Sequence, residues 1–138
     1  MRKRLCIVIV VAAMVLAKCG SAWAVSPTAG EMESATRFST DKLLSADPAN
    51  LPFSFVYGGK PSKELLKAWQ RTEKTENFDA CRTRRIVEYT DPATKLQVRC
   101  EAILYHDFPT VEWTLYFKNT GAADSPILEN VQALDAVW

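Results

Sequence analysis

Between Val111 and Lys118 the chain alternates strictly, and that alternation limits what it can become. Val111, Trp113, Leu115 and Phe117 fall on one face of an extended segment, and Glu112, Thr114, Tyr116 and Lys118 on the other. Successive strand side chains point to opposite sides, so one face is predicted buried and one wet. Pro109 belongs at the leading edge, where a missing N–H costs least. Asn119-Thr120-Gly121 supplies turn chemistry at the far end. A strand face that carries both Trp and Phe needs a second layer to cover it.

The same period recurs upstream. Leu96, Val98, Cys100, Ala102 and Leu104 form an unbroken apolar face, with Gln97, Arg99 and Glu101 opposite. Arg82–Thr90 and Lys95–Tyr105 are predicted to pair as a hairpin around a four-residue loop, Asp91–Thr94, with Pro92 at a turn position. In that register Thr90 faces Lys95, Cys100 faces Arg85, and Tyr89, Val87 and Cys81 join the apolar face. Phe53, Phe55 and Tyr57 share a face that ends at the Gly58-Gly59 turn, and this face is assigned to the core. Ser62 to Trp69 reads as a short helix with Ser62 as N-cap, stable only if packed. Gln70–Asn77, dense in charge, reads as a solvated face or connecting loop. The hairpin and the Val111 strand are expected to be neighbours in an antiparallel meander, and another extended run begins at Pro126.

The N-terminus carries different information. Arg2, Lys3 and Arg4 precede an apolar run of 13 residues, Leu5–Ala17, and Ala22-Trp23-Ala24 has small residues where a signal peptidase reads. Spanning a bilayer takes about 20 apolar residues, so residues 1–24 are read as a signal peptide rather than an anchor. Bacterial secretion or a periplasmic destination follows as the expectation, with no membrane association after cleavage. Cleavage leaves 114 of the 138 residues, enough for one small domain. Losing Arg2, Lys3, Arg4 and Lys18 leaves 13 basic against 16 acidic residues, a net charge of −3 that argues against a nucleic-acid partner. Residues 25–50, rich in Ser, Thr, Ala and Pro, read as an exposed leader with an early strand at 35–39, tacked down at Lys42-Leu43-Leu44. Residues 51–138 are assigned to the folded domain. Its apolar ending, Ala136-Val137-Trp138, leads us to expect that the domain continues past it.

Only Cys81 and Cys100 remain in the mature chain. An oxidising compartment would allow a Cys81–Cys100 disulfide. In the expected register Cys81 lies four residues from the position opposite Cys100, about 13 Å at 3.3 Å per residue. A bridge needs Cα atoms within about 7 Å, so two small buried thiols are favoured.

Few residues suggest chemistry. Asp107, Glu112, Glu101, Glu129 and Asp135 could supply a carboxylate pair, but nothing in the sequence sets their separation, and they are read as wet-face or turn residues. His106 is the sole histidine and has no Cys or His near it at ligand spacing, so neither a metal nor another cofactor is expected. Trp113 is assigned to the core by its neighbours in the alternation. Trp69 is less constrained and Asp107 lies in a loop before a strand, so these two are the candidate substrate-binding residues.

Pro52-Phe53-Ser54-Phe55, Leu65-Leu66 with Trp69, Tyr89 with Asp91-Pro92, Asp107-Phe108-Pro109 with Glu112-Trp113, Asn119-Thr120-Gly121, and Pro126 to Asp135 together resemble one family. The pattern is similar to the N-terminal β-sandwich of secreted bacterial α-galactosidases of glycoside hydrolase family 36. It runs from about Leu51 to Asp135 and is most specific over Asp107–Asp135. The resemblance implies an all-β, antiparallel β-sandwich, part of an N-terminal supersandwich, followed in the parent enzyme by a (β/α)₈ barrel and a small β domain. It also implies retaining hydrolysis of α-galactosides by two aspartates on the barrel, about 5 to 5.5 Å apart. Neither aspartate has a counterpart in this chain, so no catalytic residue is carried over and the chain alone is expected to be inactive. Carbohydrate would be engaged through the barrel, and homo-oligomerisation of a full-length enzyme is left open. The competing reading is a standalone secreted carbohydrate-binding or adhesion module.

Overall fold

The structure is a computed structural model that describes residues 25–136. The expected signal peptide, residues 1–24, and the terminal Val137-Trp138 lie outside the described residues. The chain is mostly β, with two antiparallel sheets and few helices, consistent with a β-sandwich. Strands are β1 (Ser54–Tyr57), β2 (Lys60–Pro61), β3 (Gln70–Asn77), β4 (Arg82–Thr90), β5 (Leu96–Tyr105), β6 (Val111–Asn119) and β7 (Leu128–Gln132). One sheet has the order β2-β1-β7 and the other β3-β4-β5-β6.

The expected meander is present in β4, β5 and β6, with one more strand than the sequence suggested. Gln70–Asn77 is β3, paired along its whole length with β4 from Gln70↔Thr90 to Asn77↔Thr83. Its charge hid it. The segment has no large apolar residue because it is an edge strand, held instead by cross-strand pairs such as Glu76 with Arg84. Charged side chains on an edge also discourage pairing with another chain.

The hairpin register differs from expectation. Asp91 N–H donates to the Leu96 carbonyl at 2.9 Å, so the four-residue loop is Pro92–Lys95, shifted by one position. Lys95 adopts φ 64°, the left-handed turn conformation. Moving the loop by one residue moves the register by two, and Cys100 pairs with Val87 rather than Arg85. An even shift preserves which face each side chain occupies, so the apolar face was read correctly despite the wrong partners. Cys81 is the exception. It precedes β4 and is exposed, whereas Cys100 is buried, and both thiols are free. The favoured picture of two buried thiols is thus corrected at Cys81, and the unfavoured disulfide is absent.

Between the sheets lie Phe53, Phe55 and Tyr57 from one side and Val87, Tyr89, Val98 and Cys100 from the other, all at most 5% exposed. Phe55 meets Phe117 edge-on at 5.3 Å and Trp69 at 6.3 Å. Trp113 and its alternating partners are half-buried, while Glu112, Thr114, Tyr116 and Lys118 are exposed.

Residues 25–50 are mostly exposed, but they form no strand at 35–39. They form α1 (Ala29–Phe38), a π-helical turn (Ser39–Leu43) and a 3-10 turn (Pro48–Asn50). Thr28 and Glu31 make a reciprocal capping box at the start of α1. Phe38 packs on Trp113 at 5.6 Å, and Leu43 is 1% exposed. Arg71 of β3 donates to the Leu44 carbonyl at 2.9 Å, tying the segment to the larger sheet. The helical segment therefore covers part of the larger sheet that a three-stranded partner leaves bare.

Short-range details also depart from the sequence reading. Helix α2 (Ser62–Leu65) is one turn long, with Pro61 rather than Ser62 as its N-cap. Ser62 is buried instead, and its hydroxyl accepts from the Phe55 N–H at 3.2 Å. Gly58 and Gly59, at φ 56° and 75°, make the tight β1–β2 turn. β7 pairs with β1 through an irregular step that places Asn130 at φ 50°.

Candidate functional site

The two residues singled out for substrate contact lie in different settings. Trp69 is 8% exposed and packs against Phe55 and, edge-on at 5.9 Å, Tyr57. Its indole belongs to the core rather than to a surface platform. Asp107 is exposed in the β5–β6 loop, at the end of the larger sheet where β4 begins.

That loop is held by its neighbours. His106 N–H donates to the Cys81 carbonyl at 2.8 Å, and its ring Nε2 lies 2.8 Å from the Thr83 hydroxyl. The only histidine is thus engaged with β4, in keeping with a structural role. The Arg82 guanidinium sits 4.6 Å from the Phe78 ring and 5.8 Å from that of Tyr105, while Asp79 pairs with it from the side. Hydrogen bonds from Arg82 and the Cys81 amide hold the Asp79 carboxyl below its usual range. Phe78 and Phe108 remain 45% and 51% exposed, so Asp107 lies on an end face with both charge and apolar rings.

Of the five carboxylates weighed in the sequence, Glu101 and Glu112 are diagonal neighbours on the outer face of β5 and β6, and Asp107, Glu129 and Asp135 lie elsewhere. Glu101 bridges Arg84 at 3.4 Å and Arg99 at 3.9 Å on the outer face of the larger sheet. Glu112 accepts from the Tyr105 hydroxyl at 3.1 Å. Glu129 is on β7, and Asp135 lies 4.0 Å from Lys63 beside a small recess of about 160 Å³ that Asn50 and Leu51 also line. Two sheets and two separate loop segments thus share them, and Glu101, Glu112 and Asp135 each serve a surface ion pair or hydrogen bond. No cluster of three or more metal-ligating side chains occurs among the described residues.

A recess that the sequence reading did not assemble lies on the outer face of β5 and β6. It measures about 380 Å³ and is lined by Gln97, Arg99, Tyr116 and Lys118, with Phe117 completing the wall. Gln97 pairs with Lys118 and Arg99 with Tyr116, so the four outward side chains stand on alternate rungs of one ladder, either side of Val98↔Phe117. The Arg99 guanidinium lies 4.5 Å from the centre of the Tyr116 ring, a cation–π contact that fixes both groups. Each residue was assigned to a wet face from its own strand. Their meeting depends on the β5–β6 register, which sequence periodicity does not supply.

No family model, no curated protein and no solved structure matches this chain. Among the described residues, no helix is long and apolar enough to cross a membrane.

Proposed function

We propose that this chain is the non-catalytic N-terminal portion of an exported α-galactosidase-like glycoside hydrolase. Retaining hydrolysis of terminal α-galactosides is assigned to a barrel outside these residues, and the sandwich is assigned to the N-terminal supersandwich of such an enzyme. The observation that carries this reading is the position of Asp107–Asp135, the part of the resemblance with the most specific residues. That stretch supplies β6 to one sheet and β7 to the other, and Trp113 Nε1 donates across to the Ala133 carbonyl at 2.8 Å. That stretch thus contributes to both layers and ties them together, a scaffold role rather than a reaction centre. Retaining hydrolysis needs two carboxyl groups about 5 to 5.5 Å apart, and this reading assigns both to the barrel.

A second reading, a standalone carbohydrate-binding module, is favoured by one observation: the outer face of β5 and β6 combines an aromatic ring with polar side chains in a recess. The reading frame downstream of Trp138 separates the two. Alternating βα units with aspartates at strand ends support the enzyme, and a stop codon supports the module. In the enzyme, Asp107→Ala tests whether the β5–β6 loop approaches substrate. A raised KM is expected, and an unchanged KM removes Asp107 from the substrate site.

A further inference from the structure

We propose that the outer-face recess of β5 and β6 binds the carboxylate of an acidic saccharide. The inference rests on the carbohydrate-directed reading above and adds a subsite chemistry to it. Two of the lining side chains, Arg99 and Lys118, are cations, and none is an acid. Among the described residues no carboxylate pairs with Lys118. Glu101 reaches Arg99 only at 3.9 Å and is nearer to Arg84, at 3.4 Å. A chain whose mature portion is expected to carry a net −3 therefore places two cations, Lys118 and the loosely paired Arg99, at one concave point.

The geometry suits a carboxylate. A guanidinium presents a planar fork of N–H donors that matches two carboxylate oxygens, and the stacked Tyr116 ring holds that plane in place. Lys118, two rungs along on the same face, adds a point charge from the side. The Gln97 amide and the Tyr116 hydroxyl can donate to and accept from sugar hydroxyls. A volume of about 380 Å³ falls within the range of small-molecule sites and is generous for a bare anion. Because the recess is open, the ion pairing is screened by salt and binding is expected to weaken as ionic strength rises.

The test is an NMR amide-shift titration of the protein expressed from its full reading frame, with galacturonate, methyl α-galactoside and acetate as separate probes. Galacturonate is expected to shift the amides of Gln97, Arg99, Tyr116 and Lys118, with millimolar affinity that falls as salt is added. The Arg99→Gln/Lys118→Gln double variant is expected to bind at least about tenfold more weakly while keeping its thermal midpoint, and Arg99→Lys to recover part of the loss. Absence of galacturonate shifts at these four amides overturns the proposal, as does unchanged affinity in the double variant. Equal shifts from methyl α-galactoside overturn the charge requirement, and equal shifts from acetate reduce the recess to a bare anion site. A stop codon after Trp138 would refute the enzyme reading without touching this titration. A failed titration with βα units downstream would refute only the subsite.

Discussion

Removing the Phe55 ring tests whether the two sheets share one core. Phe55 stands on β1 at 1% exposure, 5.3 Å from Phe117 on β6 and 6.3 Å from Trp69. Burying such a side chain contributes about 1.5–3 kcal/mol. The edge-on pair with Phe117 adds roughly 0.5–1.5 kcal/mol. Truncation also leaves a cavity, because the β1 backbone is held by β2 and β7 on both sides and cannot collapse into the space. Phe55→Ala is therefore expected to cost about 3–5 kcal/mol, and Phe55→Leu under about 1.5 kcal/mol. Urea denaturation followed by tryptophan fluorescence measures both, since Trp69 lies beside the site. Phe108→Ala, at a position 51% exposed, is the control and should change stability by no more than about 0.5 kcal/mol. A Phe55→Ala cost below about 1.5 kcal/mol, or one equal to that of Phe108→Ala, would refute a shared core between β1 and β6.

Thiol chemistry should divide the two described cysteines. Burial pushes Cys100 up to about 12, so Cys81 should react with a thiol reagent at pH 8 while Cys100 stays silent until the protein unfolds. Native Cys100 keeps its proton where the unfolded chain loses it. Stability should therefore fall with rising pH between the ordinary thiol range near 9 and about 12, by about 1.4 kcal/mol per unit, and Cys100→Ala should flatten that slope. Partial burial raises Asp91, but hydrogen bonds from the Thr94 hydroxyl and the Ala93 and Thr94 amides outweigh it and leave the carboxyl below its usual range. Its contribution should be full above pH 4 and be lost as pH falls through its native value, so Asp91→Asn should reduce the acid sensitivity of the melting temperature. A Cβ on Gly121 would lie 2.8 Å from the Thr94 carbonyl oxygen, so Gly121→Ala should destabilise by about 1–3 kcal/mol in a urea titration. The isolated chain should not hydrolyse a chromogenic α-galactoside, and measurable turnover would contradict the assignment of chemistry to a barrel.

How far the sequence could be read depended on which interaction held each element. β5 and β6 were plain because each buries alternate side chains, and that period survives any even error in register. The register itself turned on Lys95, a non-glycine residue at φ 64°, and nothing in the local sequence required it to enter the turn. β3 escaped notice because its own residues, Gln70–Asn77, are all polar or charged and carry no apolar alternation. α1 escaped because its residues are small and polar, and its docking rests on Phe38 meeting Trp113 some 75 positions away. The Thr28–Glu31 capping box was the available local signal for that helix. The recess was invisible for a related reason: Arg99 and Tyr116 meet only after two strands have been aligned.

The smaller sheet sets an order on assembly. β1 has only the two-residue β2 for company until β7 is made, more than 70 residues later. Layers that close through such distant partners form slowly, since the loop must be closed before the contacts can offset its entropy. A nascent chain would hold the β7-facing edge of β1 unpaired until residues 128–132 have been made.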